Sequence, residues 1–396
     1  MLARRRLGAL FVVVSCVVVS CGALALGDDV GAQAPEAPGA DVAVHDPSGR
    51  ALRAFHGALA RGERTRVLVW GASHVSEDGI TAPLRVALQG RYGDAGPGLV
   101  MPARPFPLYA HARVAIAEAD RWRGLRVSGR SARRDAFGPA GFAIEAREPA
   151  RAFVAPSARV DSARVFYLAQ PGGGRLTLSV DGAPPRELST RGRRAARSER
   201  VAPDGGLMRL DLVAHGDGPV RLFGVSLERD APGVIVDALG APGARMGDRL
   251  AWDDEVMRAP LAALRPDLVV LSYGTNESAP GRPIAAYRAE LDEALRRARA
   301  LAPRASCLIL GPSDWPARDR RGAFIARARA AEVIAAQREA AARHGCGHLD
   351  LVALMGGPLS MLRWVEAGLG ASDHVHFTPE GHRVVGARIA RAILPR

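Results

Sequence analysis

The chain has no lysine, and asparagine occurs once, at Asn276. All 54 basic residues are therefore arginine, set against 41 acidic ones for a formal net charge of +13. A codon bias toward Arg, Ala, Gly and Pro produces that pattern. The arginine runs are short and scattered (Arg4 to Arg6, Arg133-Arg134, Arg193-Arg194, Arg296-Arg297, Arg320-Arg321), with no basic stripe and no interleaved aromatics, so the charge does not indicate nucleic acid. Four cysteines are too few for a disulfide scaffold. The one strongly apolar run, Leu7 to Val19, is too short to span a bilayer, which excludes a polytopic membrane protein. No Cys/His cluster has zinc spacing, no glycine loop ends in Gly-Lys-Ser or Gly-Lys-Thr, and no Gly-x-Gly-x-x-Gly opens a helix after a strand. Neither a metal nor a nucleotide cofactor is expected.

What is present suits packed domains: 396 residues, 48% hydrophobic and 24% charged, enough for two or three units at roughly 150 residues each. Arg4 to Arg6 followed by Leu7 to Val19 reads as an export signal within residues 1–26. Cys21, after Val18-Val19-Ser20, resembles a lipoprotein cleavage site, which would tether the exported chain to a membrane; a plain signal peptide cut near Ala25 is the alternative. Residues 27–63 follow as a linker, since Gly27 to Gly49 is rich in Ala, Pro, Gly and Asp without periodicity.

From Arg64 onward the pattern is strand then helix. Arg66 to Trp70 is a short apolar run, and Glu77 to Tyr92 carries helical spacing through Ile80, Leu84 and Leu88. The alternation resumes after residue 233 with Val234 to Ala238, a helix near Asp248 to Leu264, Leu268 to Tyr273, and a helix near Ile284 to Leu301. It continues with Cys307 to Leu310, a helix near Ala323 to His344, His348 to Val352, and a last helix near Pro379 to Leu394. In the helix from Ile284, Tyr287, Leu291, Leu295 and Ala298 form the buried stripe, with Arg288, Glu290, Glu293 and Arg297 on the surface. Near-continuous apolar strands alternating with helices predict a parallel sheet covered on both faces. Between them, residues 105–230 alternate at period two, as in Arg175-Leu176-Thr177-Leu178-Ser179-Val180, with turns such as Asp181-Gly182 and Asp204-Gly205-Gly206. That predicts an antiparallel β-sandwich inserted between residues 64–104 and 231–396 of the α/β domain, either binding sugar or bracing the rim of the site.

Three short stretches follow parallel strands at the carboxyl edge, where ligands gather in open α/β sheets: Gly71-Ala72-Ser73-His74, Gly240-Ala241-Pro242-Gly243-Ala244 and Gly274-Thr275-Asn276-Glu277. A fourth, Asp373-His374-Val375-His376, precedes the last helix. Together they are complete for acyl transfer. Ser73 supplies a hydroxyl that needs a base, His376 can remove its proton, and Asp373 can orient the ring and stabilise its charge. The N–H groups of Ser73 and Gly243 and the amide of Asn276 can receive the oxyanion. Asn276 carries extra weight as the single asparagine.

On these residues the sequence resembles the SGNH (GDSL-like) hydrolases, whose four blocks carry Ser, Gly, Asn and His in this order with Asp three residues before the His. The resemblance implies a flavodoxin-like three-layer α/β/α sandwich and Ser73, Gly243, Asn276, Asp373 and His376 in the family's roles. Tyr92 to Gly98, Gly274 to Glu277 and Val375 to Thr378 with Gly381 look like the cell-envelope branch, which includes peptidoglycan O-acetylesterases and O-acetyltransferases, some with an inserted β-domain. The family usually has Asp where this chain has Ala72, which leaves the geometry of the oxyanion loop open. The expected activity is an exported or lipid-anchored, periplasmic serine esterase that removes short acyl groups from envelope polysaccharide. A transferase built on the same acyl-enzyme and a non-catalytic glycan-binding lipoprotein are the alternatives. Asp314 and Trp315 are pocket candidates or loop filler, and Cys307 and Cys346, at the starts of neighbouring strands, are a pair or two buried thiols. Oligomeric state is not legible.

Overall fold

A strand buried on both faces has no polar side to present, so its sequence reads as an unbroken apolar run. Five such runs pair in parallel in the spatial order Gly233–Gly240, Arg64–Gly71, Leu268–Ser272, Ser306–Leu310, Gly347–Leu349. The computed structural model describes residues 37–127 and 134–395. In chain order these strands run 2-1-3-4-5, the flavodoxin-like arrangement, whose topological switch lies between Arg64–Gly71 and Leu268–Ser272. The register carries Arg64 opposite Gly233 and Gly71 opposite Gly240, so the first two strands end level.

Alternate side chains of each strand enter different layers. Val67, Val69, Val234 and Val236 pack with Phe55, Leu84, Leu88, Val385 and Ile389, from the helices Arg53–Ala60, Thr81–Tyr92 and Pro379–Ile393. Leu68, Trp70, Val269 and Leu271 pack on the other face with Tyr287, Leu291 and Val333, from Ile284–Leu301 and Ala328–His344. That second layer is continuous with the core of the inserted β-structure.

The insertion is an antiparallel sandwich. One sheet runs Ala195–Val201, Ser162–Ala169, Val220–Glu228, Phe142–Ala146, Arg123–Arg126, and the other Val114–Ile116, Ala150–Pro156, Leu210–Ala214, Arg175–Val180, Arg186–Ser189. Its first strand, Gly98–Val100, pairs with Val220–Glu228, so the sandwich begins before residue 105. Buried Asp237 ties the two parts together, accepting both contacts from the Arg66 guanidinium at 2.9 and 3.0 Å and the N–H of Leu99 at 2.7 Å.

Several expectations are corrected. Residues 37–63 belong to the folded domain and are not a linker. Leu52, Phe55, Ala58 and Leu59 form the apolar face of a helix, and His45 exchanges backbone hydrogen bonds with His348, covering the sheet's edge strand. The helix expected over Glu77 to Tyr92 begins only at Thr81; a separate short helix, Ser73–Ser76, precedes it, and between them Asp78 adopts a left-handed φ of 59°. A 3₁₀ turn, Met246–Ala251, precedes Asp254–Leu264 in place of one helix, and Leu351 and Val352 open a helix instead of ending a strand. Arg297 is buried, paired with Asp254 at 2.6 Å and donating to the Trp252 carbonyl. Cys307 and Cys346 form a disulfide. Residues 1–26 and Cys21 lie outside the described residues. Among the described residues no helix is long and apolar enough to cross a membrane.

Candidate active site

The turn after Arg64–Gly71 is held tightly against its neighbour. A Cβ at Gly240 would lie 2.6 Å from the Ser76 nitrogen and 2.6 Å from the Val75 Cβ, so only glycine lets the Ser73-bearing turn close down there. Ser73 opens the short helix Ser73–Ser76, where its N–H is one of the terminal donors that a helix leaves without an internal acceptor.

The loop before Pro379–Ile393 delivers the base. Thr378 caps that helix, accepting from Gly381 at 3.2 Å, and His374 takes a left-handed φ of 58° that folds Asp373 back onto the turn. One carboxylate oxygen of Asp373 accepts the N–H groups of Val375 and His376 at 2.9 and 3.0 Å, and the other lies 2.6 Å from Nδ1 of His376. Nε2 of His376 is then left to accept from Ser73 Oγ, 3.0 Å away. Burial pushes the Asp373 carboxyl up, but the hydrogen bonds from the His376 ring and the two N–H groups outweigh it and hold it down at about 2. The carboxylate is ionised at any working pH and can stabilise an imidazolium.

Two further loops follow neighbouring strands at the same edge of the sheet. Gly243 has a φ of 73° and open space on its Cβ side, and the Pro242 carbonyl, in the same peptide unit as the Gly243 N–H, accepts from the Arg126 guanidinium at 2.7 Å. The inserted sheet thereby fixes one side of that peptide. Asn276 donates through Nδ2 to the Ala244 carbonyl at 3.0 Å, leaving a second amide hydrogen for a ligand. Among the described residues no group of three His, Cys, Asp or Glu could hold a metal ion.

Residues 190–384 match the GDSL-like lipase/acylhydrolase family. A solved structure described as a peptidoglycan O-acetylesterase in action aligns with 88% of this chain and 97% of its own at 26% identity, with a TM-score of 0.72. The chain is an SGNH serine hydrolase. Family-two carbohydrate esterases from Cellvibrio japonicus and Clostridium thermocellum also align, each over 69% of this chain and over 97% and 94% of their own, at 11% and 12% identity with TM-scores of 0.29 and 0.30. No curated protein sequence matches. The family match begins inside the inserted sandwich, and Ser73 precedes it. The insertion separates the first block from the other three in sequence, and the parallel pairing of the first two strands restores their proximity.

Other residues of the hydrolase hold this arrangement. His74 is buried, 3.0 Å from Ser313 Oγ, which in turn lies 3.2 Å from Thr275 Oγ1, so the loops after three strands are linked. Burial, then the neighbouring His382 and His376, lower its pKa to about 3, so it stays neutral and shapes the loop. His374 packs its ring on Phe324, with centroids 4.6 Å apart. Of the two pocket candidates, Asp314 is buried and accepts the Met361 N–H at 2.9 Å, and Trp315, half-buried, carries the Arg327 guanidinium over its ring at 4.0 Å.

Glu277 belongs to a block whose asparagine drew the attention. The residue keeps some exposed surface, but its carboxyl is turned inward, accepting the Met246 N–H at 2.6 Å and the Gly274 N–H at 3.0 Å, and so it ties the Asn276 loop to the Gly243 loop. Burial pushes its pKa from 4.5 to about 7 against those bonds. The folded protein therefore retains a proton that the unfolded chain releases, and the stability from this group, fully present below pH 4.5, is lost as pH rises through about 7. Between about pH 5 and about pH 8 the Tm of the wild type should fall by a few degrees relative to Glu277→Gln. Parallel thermal melts check this, and identical pH dependence in the two proteins would rule it out.

Proposed function

We propose that this hydrolase is an exported esterase that removes O-acetyl groups from peptidoglycan through an acetyl-enzyme on Ser73. The observation that carries the proposal is the hydrogen-bonded line Asp373, His376, Ser73. Ser73 Oγ attacks the ester carbonyl as His376 Nε2 takes its proton. The tetrahedral oxyanion receives the N–H groups of Ser73 and Gly243 and the amide of Asn276. His376 then gives the proton to the departing sugar oxygen, leaving acetyl-Ser73. Water, deprotonated by the same nitrogen, attacks that ester, and acetate leaves as Ser73 recovers its hydrogen.

The likeness to a peptidoglycan O-acetylesterase, which extends through the inserted region, supports the substrate. Side chains of His376 and Asp373 that are 45% and 50% exposed give water access to the acyl-enzyme, which favours hydrolysis over transfer to a second sugar. The Cys307–Cys346 disulfide and the apolar leader support an oxidising, exported location, with Cys21 as a membrane tether. The test is acetate release from O-acetylated peptidoglycan, alongside nitrophenyl esters of rising acyl length. Release of acetate with turnover falling beyond short chains is the expected result; a preference for long acyl chains would replace this reading with a lipase.

A further inference from the structure

A cleft of about 960 Å³ opens beside Gly243, between the edge strand Arg123–Arg126 of the inserted sheet and the loop that follows Gly233–Gly240. Its floor is apolar, with Leu239, Ala140 and Trp252, and its wall carries four guanidiniums, from Arg126, Arg134, Arg245 and Arg282. The two acids in the wall are already engaged. Glu290 pairs with Arg282, and Asp248 accepts the backbone N–H of Arg245 at 2.8 Å. Among the described residues Arg126, Arg134 and Arg245 make no ion pair at contact distance, Asp248, Glu277 and Glu290 acting on Arg126 and Arg245 only through space, whereas Arg66, Arg85, Arg221 and Arg297 all close on acids. Underneath, Arg249 lies over the Trp252 ring at 4.4 Å and adds a further positive charge.

Unpaired guanidiniums around a concave, apolar-floored cleft form a field that concentrates anions, and their forked N–H groups match a planar carboxylate. We propose that this cleft binds a free carboxylate carried by the acylated glycan, such as those of a peptide substituent, while the ester lies at Ser73. Arg134 and Arg245 are the receiving groups; Arg126 is partly spent on the Pro242 carbonyl. The site places the acidic substituent on the Gly243 side of the ester, so an O-acetylated glycan bearing carboxylates is preferred over a neutral one. This assignment rests on the esterase reading above.

The test uses two O-acetylated disaccharide-peptide fragments, one with free carboxylates and one with the same groups converted to amides. Wild-type hydrolase should show a KM about ten-fold lower for the acid form. In Arg134→Gln/Arg245→Gln that ratio should fall to within about two-fold, and raising salt should narrow it in the wild type. Equal KM values for the two fragments in the wild type, or an unchanged ratio in the variant, would overturn the proposal. Equilibrium binding of the deacetylated fragments to Ser73→Ala separates this from the esterase reading. Tighter binding of the acid form by Ser73→Ala, with no acetate release from the acetylated fragments by the wild type, sustains the cleft and removes the esterase, while acetate release by the wild type with equal affinities does the reverse.

Discussion

Ser73→Ala is expected to lower kcat/KM for an acetyl ester by about 10⁴ to 10⁶-fold while leaving the fold intact. The size follows from what alanine removes. Without Oγ there is no acyl-enzyme, and the remaining rate comes only from the oxyanion donors, the residue 73 N–H included, and from substrate binding. The fold should survive because the Ser73 hydroxyl's hydrogen bond runs to His376, whose ring is itself anchored by Asp373. His376→Ala should cost about as much, and the double variant little more, since the two side chains act as one unit. Asp373→Asn should cost less, about 10² to 10⁴-fold, because it spoils the ring's tautomer and removes the charge opposite an imidazolium without removing nucleophile or base. Steady-state hydrolysis with thermal melts on the same preparations decides the matter. A Ser73→Ala protein retaining more than about a tenth of wild-type kcat/KM would exclude this serine as nucleophile.

The largest expected loss of stability lies a few residues further along. Asp78 and Arg85 form an ion pair with both side chains only 1% exposed. The Asp78 carboxylate accepts from both terminal nitrogens of Arg85, from Thr81 Oγ1 and from the N–H of Ala112, and Arg85 also donates to the Val236 carbonyl. One buried carboxylate thus joins the segment after the Ser73 helix, the helix Thr81–Tyr92, the second strand and the inserted region. Burial would push its pKa up, but Arg85 and His111 outweigh that and lower it from 3.8 to about 2. Its contribution is present above pH 3.8 and lost as pH falls through about 2. Asp78→Ala leaves the guanidinium in the interior without its counter-charge, which should cost about 3–5 kcal/mol in denaturant unfolding. Asp78→Ala/Arg85→Met should recover much of that loss, because the penalty comes from the orphaned charge and not from the missing attraction. A single variant losing less than about 1 kcal/mol would show that water or a rearranged partner compensates Arg85.

These two predictions differ in how far the residues could have been found without coordinates. Ser73, Asn276, Asp373 and His376 stood out because catalysis requires particular side chains at short spacings after strands, and because a chain with one asparagine keeps it at that point. Asp78 offered no such signal. Its partner Arg85 sits in a helix whose spacing marks only Ile80, Leu84 and Leu88, and the structure buries the arginine with them. Glu277 was written in the same block as Asn276, but its two backbone donors come from separate loops, and only their meeting makes the carboxyl a tie.

The parallel sheet, the helices on its two faces, the inserted antiparallel region and the order of the four blocks were all determined by the sequence alone, because period and apolar run length are local properties that survive without neighbours. The tertiary structure decided whatever depends on two distant segments arriving at one place. It packed residues 37–63 against the sheet where composition suggested a tether, paired Cys307 with Cys346, and buried Arg66, Arg85 and Arg297 in a chain where arginine is everywhere. It also put Arg126 of the insertion on the Pro242–Gly243 peptide and set Arg134 and Arg245 in the wall of the cleft. The physical reason is the same in each case: an arginine has the same composition and charge whether it meets a carboxylate, a carbonyl or solvent, and only packing sets which of these it meets.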